Sequence, residues 1–163
     1  MSLIEALQKS TLTTGMNRAE IEALANIGET RNYYKGETLF NEGDPCESVF
    51  ILVEGKVNIE GHLVANRHNI PKQIQTVKHG QVFGEMAYIE NGLRSATARA
   101  KSNVEVIALD AGKLKELMQE NSELGLKLMQ NIALILSRRL RRMNDQWLSA
   151  IGRDVILPEF EYY

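Results

Sequence analysis

The chain has 163 residues, a formal net charge of −2 and 44% hydrophobic residues. That length fits one domain, or one domain with a helical extension, and buries enough surface to fold without covalent staples. The near-neutral charge gives no general reason to expect nucleic acid or an anionic membrane as partner, and the single Cys46 excludes an internal disulfide and fits a reducing compartment.

The N-terminus, Met1-Ser2-Leu3-Ile4-Glu5, has neither a basic start nor a long apolar run, so no signal peptide is expected. No stretch reaches the roughly 18 uninterrupted apolar residues of a membrane helix, so the expected location is the cytoplasm. Residues 2–9 fit one or two helical turns with Leu3, Ile4 and Leu7 inward. Asn17 is a natural N-cap, with Glu20 at the capping-box position. Ile21, Leu24 and Ile27 follow at helical spacing, and Gly28 ends the segment.

From Glu29 the period changes. Residues 33–40 read as two short strands around a glycine turn, and 41–45 as a loop. Ser48-Val49-Phe50-Ile51-Leu52-Val53 is a strongly apolar strand, and Glu54-Gly55-Lys56 turns tightly into Val57-Asn58-Ile59. Residues 61–71 are polar and read as a loop or a loosely paired hairpin. Residues 73–77 alternate as a strand, and 79–83 turn into the next segment. Residues 97–100 and 104–109 are closing strands. Short strands with turn signals every few residues predict an α+β fold built on an antiparallel β-roll, a jelly-roll-like barrel.

Asp110 caps a helix running to about Met118. A second begins at Asn121-Ser122 and keeps helical spacing through Leu124, Leu128, Ile132, Ile135 or Leu136, Leu140, Met143 and Trp147. Over 122–147 it would span about 39 Å. The domain is thus expected over 1–147, with 148–163 an irregular tail.

The chemistry concentrates between Phe83 and Thr97. Gly84 lets backbone approach a ligand with no Cβ in the way. Residues 85–90 can form a short helix whose free N–H groups face an anion. Arg94 offers a planar fork of donors suited to two phosphate oxygens. Glu85 would repel a phosphate. It makes sense as acceptor for a hydroxyl of the same ligand, such as a ribose 2′-OH. The plainer alternative is a strand–helix–strand turn with a surface salt bridge.

Phe83-Gly84-Glu85-x-Ala87 followed by Arg94-Ser95-Ala96-Thr97 resembles the phosphate-binding cassette of cyclic nucleotide-binding domains. That family includes bacterial catabolite activators, protein kinase A regulatory subunits and cyclic-nucleotide-gated channels. The stretches K-G-E-x-L-F-x-E-G-D and V-F-I-L-V-E-G-K-V resemble it too, so the resemblance covers roughly residues 20–140. It implies a non-enzymatic sensor binding cAMP or cGMP as ligand, with no cofactor, through Phe83, Gly84, Glu85, Met86, Ala87, Arg94, Ser95 and Ala96. In the family a threonine after the arginine goes with cGMP, whereas this chain has Ser95, which favours cAMP. Tyr88 stands where the family often has leucine. The resemblance also implies that the last helix covers the base and often forms a dimer interface. Arg139, Met143 and Asn144 are the candidates for the purine contact.

That helix is therefore a dimer seam, a lid, both, or a helix packed on its own domain alone. Arg139 interrupts the apolar spacing, so no long coiled coil is expected. Arg138, Arg139, Arg141 and Arg142 read as a solvated helix end complementing the dipole, or as contacts to DNA phosphates or to the purine. The residues after Trp147 show no two-helix pattern, so DNA binding by this chain is not expected. His62, His68 and His79 lack metal-ligand spacing, and no metal is expected. No nucleophile or activated water is apparent. The readings besides a sensor are a structural or dimerisation module of the same fold that ignores nucleotide, and a transcription-regulator relative lacking its DNA-binding domain. The sequence does not name an effector protein.

Overall fold

The computed structural model describes residues 2–65 and 68–154, of which 62–65, 68–71 and 152–154 by backbone alone. The chain opens with helix α1 (Leu3–Gln8), a 3-10 turn over Thr11–Thr13, and helix α2 (Arg18–Asn26). Both helices start on reciprocal capping boxes. The Asn17 side chain accepts from Glu20 N at 3.0 Å, and Glu20 Oε2 accepts from Asn17 N at 2.7 Å. Ser2 and Glu5 do the same for α1. Each box satisfies two donors that a helix start leaves orphaned.

Eight strands follow: β1 (Gly28–Tyr33), β2 (Thr38–Phe40), β3 (Ser48–Glu54), β4 (Val57–Ala65), β5 (His68–Val77), β6 (Val82–Phe83), β7 (Thr97–Ala100) and β8 (Val104–Asp110). They form two four-stranded sheets, ordered β1-β8-β3-β6 and β2-β7-β4-β5, with antiparallel neighbours throughout. The β-roll expected from the sequence is the fold observed. β1 and β2 flank Gly36 as expected, yet they belong to different sheets. The turn at Gly36, with φ of 92°, carries the chain from one sheet to the other.

Two cores explain why β3 is apolar on both faces. Val49, Ile51 and Val53 face an outer core with the helices, while Phe50 and Leu52 face the barrel interior. β8 divides the same way, with Ile107 and Leu109 outward and Val104, Val106 and Ala108 inward. A strand covered on both sides has no polar face to alternate.

Of the two alternatives left open for residues 61–71, the hairpin is the one observed: 61–65 and 68–71 are the paired arms of a long β4–β5 hairpin, running from Val57↔Val77 to Ala65↔His68. The register shifts beside Ile59, leaving Ile74 bulged and exposed. His62, Asn66, His68 and Asn69 interrupt the apolar residues there, which left loop and hairpin open in the sequence. One expectation needs correction: the tail is helical further than expected. After helix α4 (Ala111–Glu120), helix α5 runs from Ser122 to Asp154, 33 residues and about 50 Å long. A single helical glycine costs only about 1 kcal/mol, so Gly152 does not stop it. Residues 155–163, which the sequence assigns to the irregular tail, lie outside the described residues.

The first half of α5 is fixed to the N-terminal segment. Leu124, Leu128 and Ile132 are buried in the outer core with Leu7, Leu12 and Leu24. Lys127 Nζ donates to Glu20 at 2.8 Å, and Asn131 Nδ2 donates to the carbonyls of Leu12 and Thr14 at 2.7 and 3.0 Å. From Leu140 to Ile151 every residue of α5 is exposed.

Candidate functional site

β6 ends at Phe83 and the cassette helix α3 (Glu85–Glu90) starts two residues on. Gly84 joins them as N-cap with φ of 75°, a left-handed conformation that needs glycine. Space demands it as well: a Cβ there would sit 2.7 Å from Arg94 Nη1.

Arg94 is 4% exposed and folds into the barrel. Its Nη1 donates to Gly84 O at 2.8 Å and its Nη2 to Ser48 O at 2.7 Å. The guanidinium lies 4.2 Å over the Phe40 ring and 5.6 Å from that of Phe50. Phe50 and Phe83 stack at 5.3 Å, and Phe40 joins both at 5.7 and 6.2 Å. This aromatic floor favours a flat cation. Two backbone bonds hold Arg94 in sequence position as well: its N donates to Asp44 O, and its O accepts from Gly43 N. Burial pulls the arginine below its ordinary pKa, opposed by Cys46, Asp44, Glu47 and Glu85 around it. An arginine so placed stays charged. Burial also pushes the Cys46 thiol up, so it remains protonated beside the site.

Glu85 is 1% exposed. Its Oε1 accepts from Arg139 Nη1, and Arg139 Nη2 donates to Val82 O. One arginine of α5 thus ties the long helix to both flanks of Gly84. Two buried side-chain atoms among the described residues lack any hydrogen-bond partner: Glu85 Oε2 and Arg94 Nε. Buried polar atoms are rarely left so. Beside Arg94 a cavity of about 150 Å³ is lined by Phe40, Phe50, Asp44, Glu47 and Ser48, with Gly84 and Glu85 outside its lining. Whole-ligand pockets run from roughly 300 Å³ upward, so this cavity is about half the size of the smallest of them.

The other sequence candidates divide by exposure. Phe83, Ala87 and Ala96 are buried, and Met86 and Ser95 are exposed. Arg139, a candidate for the purine, has its guanidinium on Glu85 and Val82. Met143 and Asn144 are exposed one turn further along α5. Sequence reasoning did not single out Ser48, which contributes only a carbonyl and so leaves no side-chain signature. It also placed Phe40 and Phe50 on strands without seeing the floor they form under Arg94. Among the described residues no group of His, Cys, Asp and Glu could hold a metal, and no helix is long and apolar enough to cross a membrane.

Residues 30–121, from β1 through α4 and including the whole cassette, match the family model described as cyclic nucleotide-binding domain. The chain belongs to the cyclic nucleotide-binding domain family. Among curated relatives, a CRP-like cAMP-activated global transcriptional regulator of Mycobacterium tuberculosis is 26% identical over 151 residues, covering 93% of this chain. The cAMP-activated global transcriptional regulator Vfr of Pseudomonas aeruginosa is 31% identical over 128 residues, covering 76% of this chain. The chain spans 64% and 58% of the length of these two regulators. A solved cyclic nucleotide-binding domain from Methylobacillus flagellatus superposes with a TM-score of 0.79 at 23% identity, covering 97% of this chain and 84% of that one. That likeness supports the fold.

Proposed function

We propose that this family member is a sensor module that binds a cyclic mononucleotide, cAMP in preference to cGMP. The observation that carries the reading is the pair of orphaned buried atoms, Glu85 Oε2 and Arg94 Nε, on two residues that both adjoin Gly84. One is an acceptor and the other a donor, and a cyclic nucleotide offers the complement of both. A guanidinium carries five N–H groups, and two here are used on carbonyls. The three left over include Nε–H, enough to grip a phosphate by two oxygens. The N–H groups at the start of α3 add to the same charge. Glu85 Oε2 accepts the ribose 2′-OH while Oε1 stays with Arg139.

The cAMP preference rests on Ser95 and on the relatives that are named cAMP-activated. The chemistry is binding. Arg139 makes α5 the responsive element: ligand at Glu85 stabilises the arrangement in which α5 is docked, by the difference in its affinity for the docked and undocked states. The second half of α5 presents Leu140, Met143, Trp147 and Ile151 along one exposed face. Arg139, which breaks the apolar spacing, is turned to Glu85. That face is the surface through which two copies pair.

Equilibrium dialysis against cAMP and cGMP tests the reading. Retention of both, with cAMP held more tightly, is the expected result. A module of the same fold that ignores nucleotide is the second reading, favoured by the small cavity and by the carbonyls already on Arg94. Retention of neither nucleotide at high concentration decides for it.

A further inference from the structure

Helix α3 has six residues, too few to hold its own place. Its first residue is held by Arg139. One turn later Tyr88 meets α4, where its hydroxyl donates to Met118 Sδ at 3.3 Å. Both residues pack against the outer core beside Ile89 and Leu117. Burial pushes the Tyr88 phenol up, so the hydroxyl keeps its proton and stays a donor. Met118 is in turn fixed against α5: a Cβ at Gly125 would come within 3.0 Å of the Met118 carbonyl oxygen and 3.2 Å of its Cβ. The backbone of the α4–α5 elbow is in contact there. An unbroken path therefore leads from Glu85 through Tyr88 and Met118 to the first turn of α5.

A leucine in place of Tyr88 would fill the same apolar space with no polar atom to satisfy. The tyrosine adds a hydroxyl, and a thioether, a weak acceptor, receives it. We propose that Tyr88 and Met118 are a positioning pair that fixes the cassette helix against α4 and thereby sets nucleotide affinity. The role rests on the binding reading above. Site residues act at full strength only when the residues behind them lock their geometry. For α3 the locked groups are the Glu85 carboxylate and the N–H groups of the first turn. These face phosphate and sugar, which cAMP and cGMP share.

The test is a double-mutant cycle on affinity, read by calorimetric titration of each nucleotide into the full chain. Tyr88→Phe deletes one oxygen, and Met118→Leu removes the acceptor at similar volume. Each single variant is expected to bind about two- to tenfold more weakly. The double variant is expected to bind no more weakly than either single, because one bond is lost in all three. The ratio of cAMP to cGMP affinity stays at its wild-type value. Wild-type affinity in Tyr88→Phe, losses that multiply in the double variant, or a changed ratio would each overturn the positioning pair alone. No heat from the wild type with either nucleotide overturns the binding reading and this proposal together.

Discussion

Arg94 carries the site's positive charge, and its surroundings decide what a substitution does. Lysine keeps the charge but loses the planar fork, and its ammonium cannot reach Gly84 O, Ser48 O and a phosphate at once. Arg94→Lys should therefore retain weak binding, with most of the loss in dissociation rate, as stopped-flow displacement would show. Unaltered dissociation would mean that the fork is not used. Gly84→Ala combines two faults. The left-handed φ costs about 1–2 kcal/mol in any L-residue, and the new methyl collides with Arg94 Nη1. We expect a lower urea midpoint together with weakened nucleotide binding. A variant less stable but with wild-type affinity would detach Gly84 from the ligand site.

At the scale of elements, the N-terminal helices and α5 are joined through Glu20. Lys127 first and the Asn17 N–H second hold its carboxyl below the usual carboxylate range. A group depressed on folding stabilises the fold above its unfolded pKa of about 4.3, and that contribution is lost as pH falls through the folded value. Glu20→Gln should thus be less stable than wild type at pH 7, and the gap should close on acidification below about pH 4. Urea unfolding from pH 7 to 3 reads this directly, and a gap independent of pH would contradict it. The same elements show what the sequence discloses. Local signals were legible: the Asn17–Glu20 capping box, the apolar run of β3, the helix start at Asp110, and Gly84 with Arg94 as a spaced pair. Long-range ones were not. Val57–Ile59 and residues 73–77 read as strands, but 61–71 between them stayed open between loop and hairpin, because strand pairing here is specified by the partner strand rather than by apolar alternation. The continuation of α5 past Trp147 was missed because Gly152 weighs less than its reputation as a breaker. Arg139 was noticed as a candidate, but its partner Glu85 lies 54 positions away. No spacing rule connects them.

For the whole molecule, the barrel supplies the aromatic floor, the cassette the short helix held by α4 and α5, and α5 the element with an exposed second half. Leu140 and Trp147 are 59% and 66% exposed on the projecting half of α5, so a partner helix has apolar surface to cover. Sedimentation analysis should find a dimer that the paired change Leu140→Glu with Trp147→Glu converts to monomer. A wild type that sediments as monomer at high concentration would remove α5 as an interface. The central claim is simpler, that a buried guanidinium with a spare Nε–H meets the phosphate of a cyclic nucleotide. Calorimetric titration of cAMP into the wild type and into Arg94→Ala tests it most directly. The account predicts saturable heat in the wild type and affinity at least tenfold weaker in the variant, since a hydrogen bond to a charged group contributes about 1.5–3 kcal/mol. Equal affinity in the two proteins, or no heat in either, would contradict it.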